Sequence, residues 1–330
     1  MEIADRTKVL FTFKAGSNML YSGLVKAQNL RRHLDAFHAY NLARNLSPRT
    51  LITYGDGLRR FYRWFTQAHG EEAEITARRI REFVAHRLAS GKSHLTARAE
   101  LTALRALFTF LVLDEVIARD ENPMRLVPNP RGPMRDILPL TGEQVHRLLD
   151  SFDLDKPSQQ RDQVICLLIL DTGLRVSEVV RLSTADIDFD RSSIAVDGKG
   201  RKHRTVYIGQ KMERMLRTYI ENCRPGIANG HGTLFPPTTR STYATMRPHY
   251  LSEIIRNKMD EARIPRCNSS GHRLRHTFGT NFIRGGGNVF ALQRLLGHSK
   301  LDMTRRYVML AEEDLAEAHR KASPVDRMIL

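Results

Sequence analysis

Four short segments in the second half of the chain carry residue types that can move protons or hold anions, and each also has an ordinary structural reading. In LLGHSKLDMTRRYVML, residues 295–310, Tyr307 stands at helical spacing from Met303 and Leu310, and His298 follows Gly297. A tyrosine in such a stripe is ordinarily packing, and only its partners would make its hydroxyl a nucleophile. In TGLRVSEVVRL, Arg175 and Glu178 lie three apart, so both can project from one helix face while Val176, Val179 and Val180 turn to the core. Alone, that is a surface ion pair of little energetic value. In DGKGRKHRTV, glycines flank Lys199 in a turn from which a lysine can reach a phosphate, although exposed turn lysines are common. In GHRLRHTFGTNFI, His272 and Arg275 share one face, and Leu274, Phe278 and Phe282 form the buried one. His272 and His276 are four apart, as on a zinc-protease helix, but that chemistry needs a glutamate directly after the first histidine. Arg273 stands there and Arg275 follows, and two guanidiniums would repel a dication, so no metal is expected.

These segments need elements to hold them. From about Leu34 to Ala118 the pattern is helical. Ser47 and Pro48 open one helix as N-cap and first residue, with Tyr54, Leu58, Phe61, Tyr62 and Phe65 on one face. A second amphipathic helix closes at Gly91, and a third carries the stripe Leu101, Leu104, Phe108 and Leu111. Beside that stripe lie Arg98, Thr102 and Arg105, candidates for phosphate or groove contact. Five of the 13 prolines then fall within residues 119–139, which breaks regular structure and predicts a linker. The second domain opens with Thr141 as a cap and continues through a buried helix stopped at Gly173. The alternating residues 186–209, punctuated by DGKGRK, predict a small β-sheet with a tight turn at Gly198–Gly200. The rest reads as helical, with IRGGGNV expected to form a loose turn before Leu292. The expected fold is mainly α: a helical first domain (34–120), a linker (121–137), and an α-rich second domain with a small antiparallel sheet (138–330). Residues 1–33 form an extension of no assigned role, in which VLFTF reads as a strand and KAGSNMLYSG as a loop.

At 330 residues the chain can bury two sizeable cores. Its net charge of +16 is high for a globular protein and is divided evenly: residues 1–136 hold 22 Lys/Arg and 14 Asp/Glu, the remainder 30 and 22. An even excess predicts a polyanion, nucleic acid, touching both domains. Cys166, Cys223 and Cys267 lack C-x-x-C spacing, which argues against a disulfide framework and fits a reducing compartment. The longest apolar run is short of the ~20 residues a membrane span needs, and the N-terminus has no signal-peptide pattern. A cytoplasmic protein with no membrane partner is expected.

Ordered along the chain, TGLRVSE, GKGRKHRTV, HRLRHTFGT and LLGHS…Y bring Arg175, Lys199, His272, Arg275, His298 and Tyr307 into one series. With these motifs the sequence resembles the tyrosine recombinases, the phage integrase family, over roughly residues 34–325. The helical first domain resembles that family's core-binding domain. The resemblance implies a site-specific DNA recombinase or integrase that cleaves and rejoins strands through a 3′-phosphotyrosine and a Holliday junction, without metal, cofactor or ATP. It implies a clamp around double-stranded DNA carrying a specific site, and a homotetramer joined by exchange of the C-terminal segment AEEDLAEAHRKASPVDRMIL. Accessory proteins are further possible partners. A type IB-like topoisomerase, or a non-catalytic DNA-binding protein that keeps the fold, are the alternatives.

The chemistry suits the residues. Attack on a phosphodiester places extra negative charge on the non-bridging oxygens, and two always-charged guanidiniums, Arg175 and Arg275, fit as the clamp for it. A tyrosine hydroxyl, with its ordinary pKa near ~10, needs a cationic pocket and a base, for which His272 is the candidate. Arg305 and Arg306 immediately precede Tyr307 and on a helix point elsewhere. By resemblance, Lys199 is the general acid for the leaving 5′-oxygen, His298 a donor to the scissile phosphate, and Glu178 a supporting carboxylate. Arg201 and Lys202 beside Lys199 are further candidate DNA contacts.

Overall fold

Local signals start and stop most helices where the sequence places them. In the computed structural model, which describes residues 25–132, 138–198, 203–224, 232–237, 245–267 and 269–298, with 301, 303, 304, 307, 319, 323 and 325–327 beyond them, the chain divides into two units, Met1–Met134 and Arg135–Leu330. The first unit holds α1 (Ala27–Arg32), α2 (Leu34–Ala43), α3 (Pro48–His69), α4 (Ala77–Ala89) and α5 (His94–Leu113). Ser47, Thr76 and Ser93 cap α3, α4 and α5 by accepting from the backbone amides of Thr50, Arg79 and Thr96. The expected stripes meet in one core, where Phe61, Phe65, Leu101, Leu104, Phe108 and Leu111 have no exposed surface. Full burial of each such side chain contributes roughly 1.5–3 kcal/mol.

Two segments outside the expected helical stretch join that core. Val25, Ala27 and Leu30 pack into it, and so do Met124 and Val127. Pro123–Leu126 is a 3-10 turn capped by the Asn122 side chain, so the proline-rich stretch is structured where its apolar residues find a surface. Buried Glu100 accepts two hydrogen bonds from Arg87, both 2.8 Å, and one from Arg60 at 2.9 Å, tying α3, α4 and α5 together. A buried carboxylate is tolerable only with such pairing.

The second unit begins with α6 (Gly142–Asp150), closed by a Thr141–Gln144 capping box, and α7 (Pro157–Thr172). After α7 come the short α8 (Val176–Val179) and the strands β1 (Ile187–Asp188), β2 (Ser193–Asp197) and β3 (His203–Tyr207). The strands form one antiparallel sheet in the order β1-β2-β3, with Ile194 opposite Val206 and Asp197 opposite His203. Then follow α9 (Gln210–Thr218), α10 (Pro248–Glu261), α11 (Ser270–Arg284) and α12 (Val289–Leu296). The mainly helical fold with a small antiparallel sheet is the expected one. Cys166 is fully buried among the apolar residues of α7, and that burial pushes its thiol pKa far up, as for a small hydrophobe.

Two expectations give way to packing. Helix α11 is not amphipathic: every residue from Arg273 to Thr280 is buried, because the other elements of the unit surround it. Its arginines find partners there, Arg273 donating to the carbonyls of Leu138 (3.0 Å) and Pro265 (2.7 Å). The Gly285–Gly287 turn is tight, not loose. The amides of all three glycines donate to carbonyls of Asn281, Ile283 and Phe282, and a Cβ at Gly287 would lie 2.2 Å from the Phe282 ring. Lys199 and Gly200 of the tight turn expected at Gly198–Gly200, the strand and loop expected before residue 25, and most of residues 311–330 lie outside the described residues.

Candidate active site

The site is assembled around the end of α7. Gly173 stops that helix in the left-handed region, at φ +67°, and its carbonyl accepts from Arg275 Nη1 at 2.6 Å. A side chain there would strain the backbone and strike Phe278 and Leu296, 2.4 and 2.6 Å from an added Cβ. Arg275 Nη2 donates to the Leu296 carbonyl at 2.7 Å and lies 3.1 Å from His298 Nε2. One guanidinium therefore joins the ends of α7 and α12. Burial, and then the charge of Arg175, lower its pKa to about 10, which still leaves it protonated at neutral pH.

Arg175 and Glu178 do not share a helix face, as the spacing suggested. Arg175 precedes α8 in extended conformation, and Glu178 folds back over it. The carboxylate accepts the Arg175 amide on Oε2 and Nη1 on Oε1, both at 2.8 Å. Nor is the pair a surface one: Glu178 is buried. Burial pushes its pKa up, but the Arg204 side chain, the Arg175 amide and both positive charges outweigh that and hold it at about 2.

His298 sits just past the left-handed cap Gly297, its amide bonded to the Gln293 carbonyl. Since a guanidinium can only donate, Nε2 accepts from Arg275, and the neutral ring carries its proton on Nδ1, directed at Thr304 Oγ1, 2.9 Å away. Thr304 is fully buried, three residues before Tyr307. Tyr307 is itself buried, against Phe278, Ile283, Leu292 and Leu296. Its ring lies nearly parallel to that of His298, 6.4 Å between centroids, and 5.2 Å from that of His276. Gly279 makes this approach possible, since a Cβ there would fall 2.7 Å from the tyrosine ring. His272 is exposed at the start of α11; enclosure by protein, and then the charges of Arg275 and Arg175, lower its pKa below 6.5.

The structure thus gathers Arg175, Glu178, Arg275, His298 and Tyr307, with His272 within electrostatic reach of both arginines. Lys199, Arg201 and Lys202 lie outside the described residues, as do Arg305 and Arg306.

The family model described as the phage integrase family matches residues 139–314, and that of its N-terminal SAM-like domain matches residues 34–115. The chain belongs to the phage integrase family, the tyrosine recombinases. A tyrosine recombinase XerD of Yersinia pestis is 32% identical over 302 residues, covering 89% of this chain and 97% of the relative. A tyrosine recombinase XerC of Bacillus subtilis (strain 168) is 28% identical, covering 90% and 98%. The solved structure of the XerH site-specific recombinase bound to palindromic difH substrate, a post-cleavage complex, shares the fold at a TM-score of 0.72 and 19% identity, covering 93% of this chain and 99% of that one. This tyrosine recombinase is an enzyme of site-specific recombination.

Arg204, Thr304 and Gly279 of the recombinase went unnoticed in the sequence, and His276, weighed there only as a metal ligand, instead packs its ring against Tyr307. Arg204 donates to Glu178 Oε1 and Oε2 at 2.9 and 2.8 Å and to the Leu295 carbonyl at 2.9 Å. Its signal was strand alternation: two residues before inward-facing Val206, Arg204 had to face inward and find a carboxylate. On the first unit, Arg98 is exposed and Thr102 returns its hydroxyl to the Arg98 carbonyl. Arg105 departs from the open stripe expected of it, because it donates to the Val127 carbonyl (2.6 Å) and to Asn129.

Proposed function

We propose that this recombinase acts on double-stranded DNA carrying a specific recombination site, and that Tyr307 is its nucleophile. Tyr307 Oη attacks the scissile phosphorus, its proton passes to neutral His272, and the bond from phosphorus to the 5′-oxygen breaks as Lys199 protonates that oxygen. Arg175 and Arg275 hold the non-bridging oxygens, where charge grows in the transition state, and His298 donates to one of them in its other tautomer, with the proton on Nε2 and Nδ1 accepting from the Thr304 hydroxyl. The 3′-phosphotyrosine retains the energy of the phosphodiester. A 5′-hydroxyl of a second strand can therefore displace the tyrosine without ATP, and paired exchanges pass through a Holliday junction. The arginines do the work a metal ion would do at a transferred phosphate. Two sites are joined by a homotetramer linked through the C-terminal segments, and accessory proteins are possible further partners. The enzyme works in the cytoplasm; among the described residues no helix is long and apolar enough to cross a membrane.

One observation carries this reading: Arg275, fixed by two backbone carbonyls, meets His298, whose ring stacks over Tyr307. The test is covalent capture on a nicked duplex selected from a random library for attachment to the wild-type protein. Tyr307→Phe is expected to form no adduct while its DNA affinity changes by less than about threefold, since a lone hydroxyl outside the phosphate clamp adds little to binding. Wild-type adducts are expected in EDTA as well. Adducts formed by Tyr307→Phe would remove the assignment.

A further inference from the structure

We infer that Arg204 is a positioning residue of the cleavage site, holding Glu178 and the end of α12 so that Arg175 stays available to phosphate; the inference rests on the tyrosine chemistry proposed above. Arg204 leaves β3 with a side chain only 12% exposed. Its three donating nitrogens reach two distant places, both oxygens of Glu178 and the Leu295 carbonyl. The next carbonyl along, that of Leu296, holds Arg275, and His298 follows two residues later. A Cβ at Gly297 would approach the Arg204 Cδ to 3.3 Å, so the glycine leaves room for this stem. One guanidinium thus fixes the Arg175–Glu178 turn and the α12 terminus to the strand that follows the Lys199 segment.

Hydrogen-bond accounting gives the reason. A carboxylate has about four lone-pair sites. The Arg175 amide, Arg175 Nη1 and the two Nη atoms of Arg204 supply four donors. Glu178 is saturated, and Arg175 gives it only one side-chain nitrogen. Without Arg204, the buried carboxylate would have Arg175 as its cationic partner and would draw its guanidinium into a closer, bidentate pair. The same anion would also cancel the positive charge of Arg175. Arg204 therefore balances Glu178 so that the net charge facing a phosphate stays positive.

The experiment compares Arg204→Ala, Arg204→Lys, Glu178→Gln and the double variant Arg204→Ala/Glu178→Gln with the wild type, after thermal melts identify the folded proteins. The double variant keeps the question answerable if Arg204→Ala unfolds, because neutralising Glu178 removes the unpaired buried charge. Adduct formation on the selected nicked duplex is expected to slow on the order of 10²-fold in Arg204→Ala, the cost of a misplaced reacting geometry. DNA affinity should move far less, and Arg204→Lys, which keeps the charge without the fork, should fall between. The double variant should be no slower than Glu178→Gln alone. Amide hydrogen exchange of the DNA-free variants should quicken both at residues 175–179 and at residues 293–298. Exchange changes confined to β3, or additive losses in the double variant, overturn the inference while wild-type cleavage still stands. Wild-type protein that forms no adduct with any duplex of the library overturns the tyrosine chemistry, and the inference with it.

Discussion

Glu178 accepts four hydrogen bonds from cationic residues, and its pKa of about 2 lies below the ordinary 4.5. A depressed folded-state pKa makes the ionised carboxylate stabilising above about 4.5, and that contribution is lost as pH falls towards 2. The shift corresponds to about 3 kcal/mol. Glu178→Gln is therefore expected to be less stable than the wild type near neutrality, with the gap closing as both are titrated from pH 5 to pH 2. Denaturant unfolding at a series of pH values reads it, and a gap constant across that range would show that the charge of Glu178 is not what stabilises it. At this scale Tyr307 also loses its apparent choice between packing and chemistry. Its ring is buried with Phe278 and Leu296 while its other neighbours are His298 and His276. Apolar packing fixes the ring, and two imidazoles are its aromatic neighbours.

Among elements, those governed by local signals were legible. Ser47 with Pro48, Thr141 and Gly173 mark helix ends by capping and backbone conformation, which depend on residues within one turn. Motif order singled out a candidate series, of which Arg175, Arg275, His298 and Tyr307 lie together in the structure. What sequence left hidden is non-local: Arg204 meets Glu178 across 26 positions, and α11 is buried all round from Arg273 to Thr280 although Arg273, Arg275 and His276 mimic a solvent face. Gly279 belongs to this hidden class, since only the approach of Tyr307 gives it a reason. Gly279→Ala gains about 1 kcal/mol of helix propensity but adds a methyl where the ring lies, an overpacking cost of roughly 1–3 kcal/mol. The two effects offset in part, leaving a net loss of at most about 2 kcal/mol. The effect on chemistry is larger, because the ring must move, so adduct formation is expected to fall on the order of 10²-fold. Gly279→Ala that melts near the wild type and cleaves like it would remove the close approach from the argument.

For the whole molecule, charge is the link between fold and substrate. The excess of eight positive charges on each side of the proline-rich stretch argues that both units touch the duplex. Each phosphate contact releases condensed counterions, so log Kd against log salt should steepen by about 0.9 per contact. Burial sorts the candidate stripe: Arg98 is exposed, whereas Arg105 is spent on Val127 and Asn129. Arg98→Ala is expected to reduce the salt slope by about one without changing the melting temperature. Arg105→Ala should leave the slope nearly unaltered and lower stability instead, by about 1–3 kcal/mol, since it releases the carbonyl that its guanidinium satisfies. Fluorescence titration of the full chain with the selected duplex, at salt concentrations from 50 to 300 mM, measures both slopes. A slope altered by Arg105→Ala and not by Arg98→Ala would mean that the first unit presents a different face to the phosphate backbone than its exposed arginine indicates.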